Sequence, residues 1–266
     1  AAAHLDPKVR ETSGSRHLLA VAGDWRIGPD TLLEAEIETS HRSQPSVPGF
    51  SLLGNSVPAP VDPRINLNNQ AWSQPVVLDG TTASLRWQRK LAGGWKFVAH
   101  AATQQLSSDD RIAFPFGCFD PNPAPNGTYY ADRYCPNGNF DLYDFRSDGE
   151  RRRSDALDLN LSGRLHTGAI EHAVSAGILS SRVKNRFGLQ TFAFSGTGNV
   201  DGSITNLPAN PAPHDFNTNR DERSTELSLR DAMRFDERST LWLGLRHTRL
   251  QRASERNDPS DPRATD

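Results

Sequence analysis

The sequence predicts an all-β fold: about eight antiparallel strands in up-and-down order, forming a transmembrane β-barrel. Three observations carry this reading. Apolar residues recur with a period of two over runs of ten or more residues. The runs come in pairs joined by short turns, and successive pairs are separated by long links over 45–80, 107–153 and 187–222. No stretch approaches the ~18 consecutive apolar residues of a membrane-crossing helix, whereas a barrel strand needs only ~10 residues, half of them polar.

The first pair spans 16–26 and 31–44. Leu19, Val21 and Trp25 share one face of the first run. In TLLEAEIETSHRSQ, Leu33, Ala35, Ile37 and Thr39 oppose Glu34, Glu36, Glu38 and Ser40. A helix would smear these residues around its circumference; a strand separates them into an oily and an acidic face. Ile27-Gly28-Pro29-Asp30 supplies the turn. The second pair, 81–90 and 95–104, places Ala83, Leu85 and Trp87, then Trp95, Phe97, Ala99 and Ala101, on one face around Leu91-Ala92-Gly93-Gly94. In the third pair, 155–165 and 170–183, Leu157, Leu159 and Leu161 oppose Asp158 and Asn160. The last pair, 224–234 and 239–249, turns at Phe235-Asp236-Glu237-Arg238.

Composition narrows the function classes. The chain has 266 residues, 35% apolar and 23% charged, with 20 Gly and 18 Pro, so it is neither low-complexity nor disordered by composition. A net charge of −2 with interspersed signs argues against a nucleic-acid partner, which would call for a basic stripe. The three long links all fall on the same side of consecutive hairpins, as in outer-membrane barrels with short periplasmic turns and long external loops. Trp25, Trp87 and Trp95 lie within a few residues of short turns, where an interfacial girdle belongs. A soluble β-sandwich is the alternative, but its strands are usually 5–6 residues and its loops short at both ends.

Gly23 to Gly54 (GDWRIGPDTLLEAEIETSHRSQPSVPGFSLLG), Ile65 to Ser73 (INLNNQAWS) and Leu229 to Arg252, with its Gly244-Leu245-Arg246 element, resemble the barrel region of TonB-dependent siderophore receptors. The resemblance runs over most of the chain and rests on hairpins, not on catalytic signatures. It implies an outer-membrane receptor for ferric siderophores, embedded in outer-membrane lipid and coupled to the TonB complex only through a plug domain. Neither a plug nor a TonB box is recognisable, and the chain closes on a loop-like Asn257-Asp258-Pro259-Ser260-Asp261-Pro262. Residues 1–266 are therefore expected to form one partial barrel domain lacking the plug and the C-terminal strands. The rival is a closed eight-stranded barrel, either a passive scaffold or an enzyme with a site at its rim.

Cys118 and Cys135 sit 17 positions apart in the second link. Outside the cell a disulfide is expected; the other reading, a metal pair, fits poorly because no Cys or His partner set lies nearby. The same link carries Arg111, Phe114, Phe116, Phe119, Tyr129, Tyr130, Arg133 and Tyr134. Ferric chelates are bulky, partly aromatic and often anionic, and aromatic faces with guanidinium groups would suit them. The plain alternative is that these rings pack the link onto itself. The expectation is that Tyr129, Tyr130, Arg133 and Tyr134 affect capture more than any strand residue, and that as exposed positions they can be replaced without harm to the barrel. Glu34, Glu36 and Glu38 read as one side of a water-filled lumen. Arg151-Arg152-Arg153 reads as solvated charge or as a contact to anionic lipopolysaccharide. There is no G-x-S-x-G, G-x-x-x-x-G-K-[ST], H-E-x-x-H or C-x-x-C pattern, so neither enzyme activity, a cofactor nor a metal is expected.

Overall fold

A computed structural model describes residues 1–59, 61–122, 124–209 and 212–260. The strands are β1 (Ala2–Leu5), β2 (Gly14–Ile27), β3 (Thr31–Gln44), β4 (Val76–Lys90), β5 (Lys96–Pro115), β6 (Cys118–Asp120), β7 (Thr128–Tyr130), β8 (Asn139–Thr167), β9 (Ile170–Arg186), β10 (Gln190–Asn199), β11 (Thr218–Arg234) and β12 (Thr240–Arg256). They form one antiparallel up-and-down sheet in the order β1-β2-β3-β4-β5-β8-β9-β11-β12, with β10 added along β8, and a small β6–β7 hairpin. The sheet is open, with β1 and β12 at its two ends. The four expected hairpins are all present, so the chain is a barrel wall rather than a closed eight-stranded barrel.

The expected links are too long. Residues 76–80 belong to β4, 107–115 to β5, 139–153 to β8 and 218–222 to β11. The strands continue well past the oily segments that announce them. β8 alone runs for 29 residues, about three times a membrane crossing.

Register carries the two faces across the sheet. Trp25 lies opposite Leu33, Leu33 opposite Trp87, and Trp87 opposite Ala99. Val21, Ile37, Ala83 and Thr103 make a second row. Ala99 lies opposite Leu159, so the first row runs on through Leu159, Ile178, Leu227 and His247 on the far half. Paired residues point the same way, so one face holds a continuous apolar band and the other holds Glu34, Glu36, Glu38, His100, Asp158 and Asn160. The apolar face lacks any protein cover: Val21 is 64% and Leu245 71% exposed. A bare band of this size fits a hydrocarbon surround and not water. At its hairpin end the band is edged by Trp25, Trp87 and Phe97, and Trp95 lies against Gly163 so closely that a Cβ there would stand 2.4 Å from its ring.

Buried side chains gather beyond the band, at the far end of β5, β8 and β10. Leu67, Ala113, Tyr134, Phe140 and Leu142 form the core, with Leu53, Ile65, Trp72 and Val200 against it. Leu53, Ile65, Leu67 and Trp72 supply much of this cover and segment 200–206 meets it. The Asn68 side chain accepts from the Ala113 N–H (2.8 Å), Asn69 donates to the Gly202 carbonyl (2.7 Å), Gln70 to Ile204 (3.1 Å) and the Trp72 indole to Asn206 (3.1 Å). These amides satisfy the backbone groups that no further strand pairs.

Candidate functional site

Beyond the apolar band, β5, β8 and β10 continue as a raised wall. The passage is marked by a bulge: Ser108 pairs with Glu150, and the next pair is Asp110 with Ser147. β8 thus spends three residues where β5 spends two, with Gly149 at φ 70°. This shift switches the alternation in β8, so that Tyr143, Phe145 and Ser147 continue the polar face on which Glu150 lies. The Ser147 and Ser108 hydroxyls both donate to the Glu150 carboxylate (2.7 and 3.1 Å), which ties the two sides of the bulge together.

On that continued face the wall presents six rings. Phe192 and Tyr143 stack with centroids 4.1 Å apart and an interplanar angle of 5°. Phe114, Phe116 and Phe145 stand edge-on to Phe192, and Phe194 edge-on to Tyr143. Phe194 is 58% exposed, so the platform is open rather than packed under protein. Burial and the nearby Asp141 and Tyr129 raise the Tyr143 phenol above its ordinary pKa, so it keeps its proton. Below the platform, on the polar face, a concavity of about 420 Å³ is lined by Arg16, Arg42 and Arg152 and by Glu38 and Glu150, together with Leu78, Leu106 and Phe187. Among the described residues these three guanidinium groups have no carboxylate partner; Arg42 and Arg152 donate to Gln44 and Asn185 side chains. Aromatic faces above, and below them three guanidinium groups that make no ion pair among the described residues beside the Glu38 and Glu150 carboxylates, suit a flat solute that carries negative charge.

The expected site residues divide. Phe114 and Phe116 are in the platform, at the end of β5 and just past it, and not in a free loop. Tyr129 and Tyr130 lie on the β6–β7 hairpin, with Tyr129 half-exposed and its hydroxyl over Gly117. Arg133 holds Asn55 and lies 6.0 Å from the Tyr130 ring. Tyr134 is buried at 2%, donates to the Gly49 carbonyl (3.0 Å) and tilts against Phe140; its phenol is pushed up to about 12 by burial. The expectation that it is a replaceable exposed position is corrected: its removal opens the core. Arg111 points away from the platform, into a two-pronged ion pair with Asp144 (3.2 and 3.0 Å) beside Trp72. Cys118 and Cys135 are joined as a disulfide with Cα atoms 5.5 Å apart. Glu34 pairs with Arg86 on the polar face at 3.0 Å. Sequence reasoning missed Tyr143, Phe145, Phe192 and Phe194. Their period-two spacing in DLYDF and QTFAF is a strand signal, but it falls inside stretches read as links.

A long-stranded open sheet with a bare apolar band and an aromatic wall at one end defines a segment of an outer-membrane-type barrel. No family model and no characterised protein sequence matches the chain. Solved structures do. The ferric preacinetobactin receptor BauA from Acinetobacter baumannii superposes with a TM-score of 0.75 at 15% identity, covering 94% of this chain and 36% of that one. The ferric-catecholate import receptor Fiu from E. coli K12, in its closed form, gives 0.74 at 13% identity, covering 94% and 36%. The siderophore receptor PiuA from Acinetobacter baumannii gives 0.68 at 15% identity, covering 96% and 38%. The chain has the fold of a barrel segment of TonB-dependent siderophore receptors, and it spans little more than a third of the length of these three.

Proposed function

We propose that the chain is part of the barrel wall of an outer-membrane receptor that takes up ferric siderophores with energy delivered through TonB. The protein captures and passes its solute without covalent chemistry. The observation that carries this reading is the placement of the six-ring platform directly above the Arg16, Arg42 and Arg152 concavity, on the face that lines the passage in a barrel of this fold. The rings take the planar parts of a chelate and the guanidinium groups its negative charge. Tyr129, Tyr130 and Arg133 complete the upper rim. Contact with TonB belongs to a plug domain and not to this wall.

The test replaces Tyr143, Phe192 and Phe194 by Ala in the full-length protein and measures binding of a ferric catecholate by quenching of tryptophan fluorescence. Aromatic pairs contribute about 0.5–1.5 kcal/mol each beyond area burial, so the triple variant should bind at least tenfold more weakly. A Tyr129→Ala/Tyr130→Ala/Arg133→Ala variant should weaken binding by a smaller factor. Unchanged binding in both assembled variants overturns the proposal.

A further inference from the structure

The aromatic platform ends on a carboxylate. Register arranges the wall in rows: Asp110, Ser147 and Gln190 at its foot, then Ile112, Phe145 and Phe192, then Phe114, Tyr143 and Phe194, then Asp141 with Thr197. Asp141 stands two positions before Tyr143 on β8, so both side chains point to the platform face. Phe116, which stacks on Phe114 and donates its N–H to the Asp141 carbonyl (2.9 Å), closes the last row on the β5 side. The Tyr129 hydroxyl lies over Gly117, whose carbonyl takes the Asp141 N–H (2.9 Å). The Asp141 carboxylate makes no ion pair or hydrogen bond among the described residues; burial raises its pKa and no cation beside it offsets the rise. The basic side chains around the wall are engaged elsewhere. Arg111 and Arg146 pair with Asp144 and Asp148, and Arg133 holds Asn55. Among the described residues the rows of the platform therefore carry two acids, Asp110 and Asp141, and no base.

An unpaired carboxylate bordered by ring faces is complementary to a cation, since the ring quadrupole and the carboxylate attract positive charge together. Among the described residues no three His, Cys, Asp or Glu side chains converge to hold a metal ion, so the cation that fits is organic. An ammonium group matches best: it donates a charge-assisted hydrogen bond to the carboxylate and lays its remaining surface on the rings. The opposite charge is served at the other end of the wall, where Arg16, Arg42 and Arg152 line the concavity. Asp141 stands about 7 Å along the strand from Tyr143, so a chelate resting on the stacked Tyr143 and Phe192 rings reaches it with an arm of a few methylene groups.

We infer that Asp141, with Phe116 and Tyr143 beside it, binds a protonated amine on an arm of the ferric chelate, so that the protein selects chelates bearing an ammonium group over otherwise identical neutral-armed ones. The inference rests on the receptor reading proposed above. The full-length protein in detergent is titrated with two ferric catecholates that differ at one group: one carries an aminobutyl arm, its twin the same arm N-acetylated. Tryptophan fluorescence reads binding. The amine should bind at least tenfold more tightly than its twin, which one charge-assisted hydrogen bond and the ring contacts of an ammonium group supply together. Asp141→Asn should bring the ratio of the two affinities to about one. Asp24→Asn, on the polar face beside the first short turn, should leave the ratio as it is. Should Asp141→Asn not assemble, Phe116→Leu replaces it, with the ratio expected to fall severalfold. Benzylammonium and benzyl alcohol, followed by saturation-transfer NMR, probe the subsite without a chelate: benzylammonium alone should be bound, and Asp141→Asn should abolish its signal. Failure of both chelates to bind while benzylammonium is held counts against the uptake reading and supports the subsite. Equal binding of the twins, a preference that survives Asp141→Asn, or no saturation transfer to benzylammonium overturns the proposal.

Discussion

Replacing Asp144 with Ala separates the bracing of the wall from ligand capture. Asp144 is fully buried and takes two hydrogen bonds from Arg111, whose side chain is 13% exposed and lies 5.7 Å from the Trp72 ring. Removing one partner of a buried pair leaves the other charge desolvated and costs about 3–5 kcal/mol. The loss falls on the cover, because Trp72 and the adjoining Asn68–Gln70 clasp hold segment 61–75 against β5. At about 3 kcal/mol, the opening equilibrium of that cover rises by roughly 100-fold. Trypsin cleavage after Arg64, whose side chain is exposed, follows that equilibrium when reclosing is fast, so its rate should rise by a similar factor. An Arg111→Met/Asp144→Leu variant removes both charges and should recover most of the loss, since paired buried ions often exchange for apolar residues near neutrality. It should also retain capture of a ferric catecholate. Equal proteolysis of the single and double variants would refute the bracing role. Stability restored with capture lost would make Arg111 a ligand contact.

Three further outcomes follow from the same geometry. The Asp110 carboxyl is pushed up from 3.8 to about 6, by burial first and then by Glu150 and Asp148. Its folded pKa exceeds the unfolded one, so its contribution is fully present below about pH 4 and is lost as pH rises through 6. After solvent screening this is about 1–2 kcal/mol, and Asp110→Asn should abolish that decline in thermal unfolding between pH 4 and 7.5; an unaltered decline refutes it. Reduction of Cys118–Cys135 should destabilise the 119–134 segment by about 3 kcal/mol and speed its proteolysis while the strands stay protected, which hydrogen exchange would read out. Gly163→Ala forces the Trp95 ring off the apolar face at a cost of about 1–3 kcal/mol, visible as a shifted near-ultraviolet dichroism band; an unmoved band argues against the packing described.

The paired hairpins were legible because each strand there has one apolar and one polar face. Thr31–Gln44 has the predicted bounds, and Leu157, Leu159 and Leu161 share one face opposite Asp158 and Asn160. The alternation fails where the strands leave the band. In Ile112-Ala113-Phe114, Ala113 faces the core while Phe114 faces the platform, and Phe140 and Leu142 oppose Tyr143 and Phe145. With apolar residues on both faces the period of two disappears, and Gly149 and the prolines read as loop. Tyr134 and Arg111 were grouped with the ligand contacts because local sequence holds no trace of their partners. Those partners, Gly49 and Leu67 for Tyr134 and Trp72 and Asp144 for Arg111, lie tens of residues away.

The raised wall is only three strands wide, and a narrow sheet exposed on both faces is marginal in water. Its platform face is open, so its stability depends on the reverse face. There Leu67, Phe140, Leu142 and Tyr134 bury apolar surface, the amides of 68–72 and 202–206 clasp one another, and the Asn68 and Asn206 side chains bond the open edges of β5 at Ala113 and of β10 at Thr197. The residues proposed to bind and the residues that brace therefore alternate along the same strands, one side chain apart. A substitution on the reverse face can weaken capture by loosening the platform without touching the ligand. Such a change lowers protection of the β8 and β10 amides together with affinity, whereas loss of a ring contact lowers affinity alone. Hydrogen exchange measured beside binding tells the two apart.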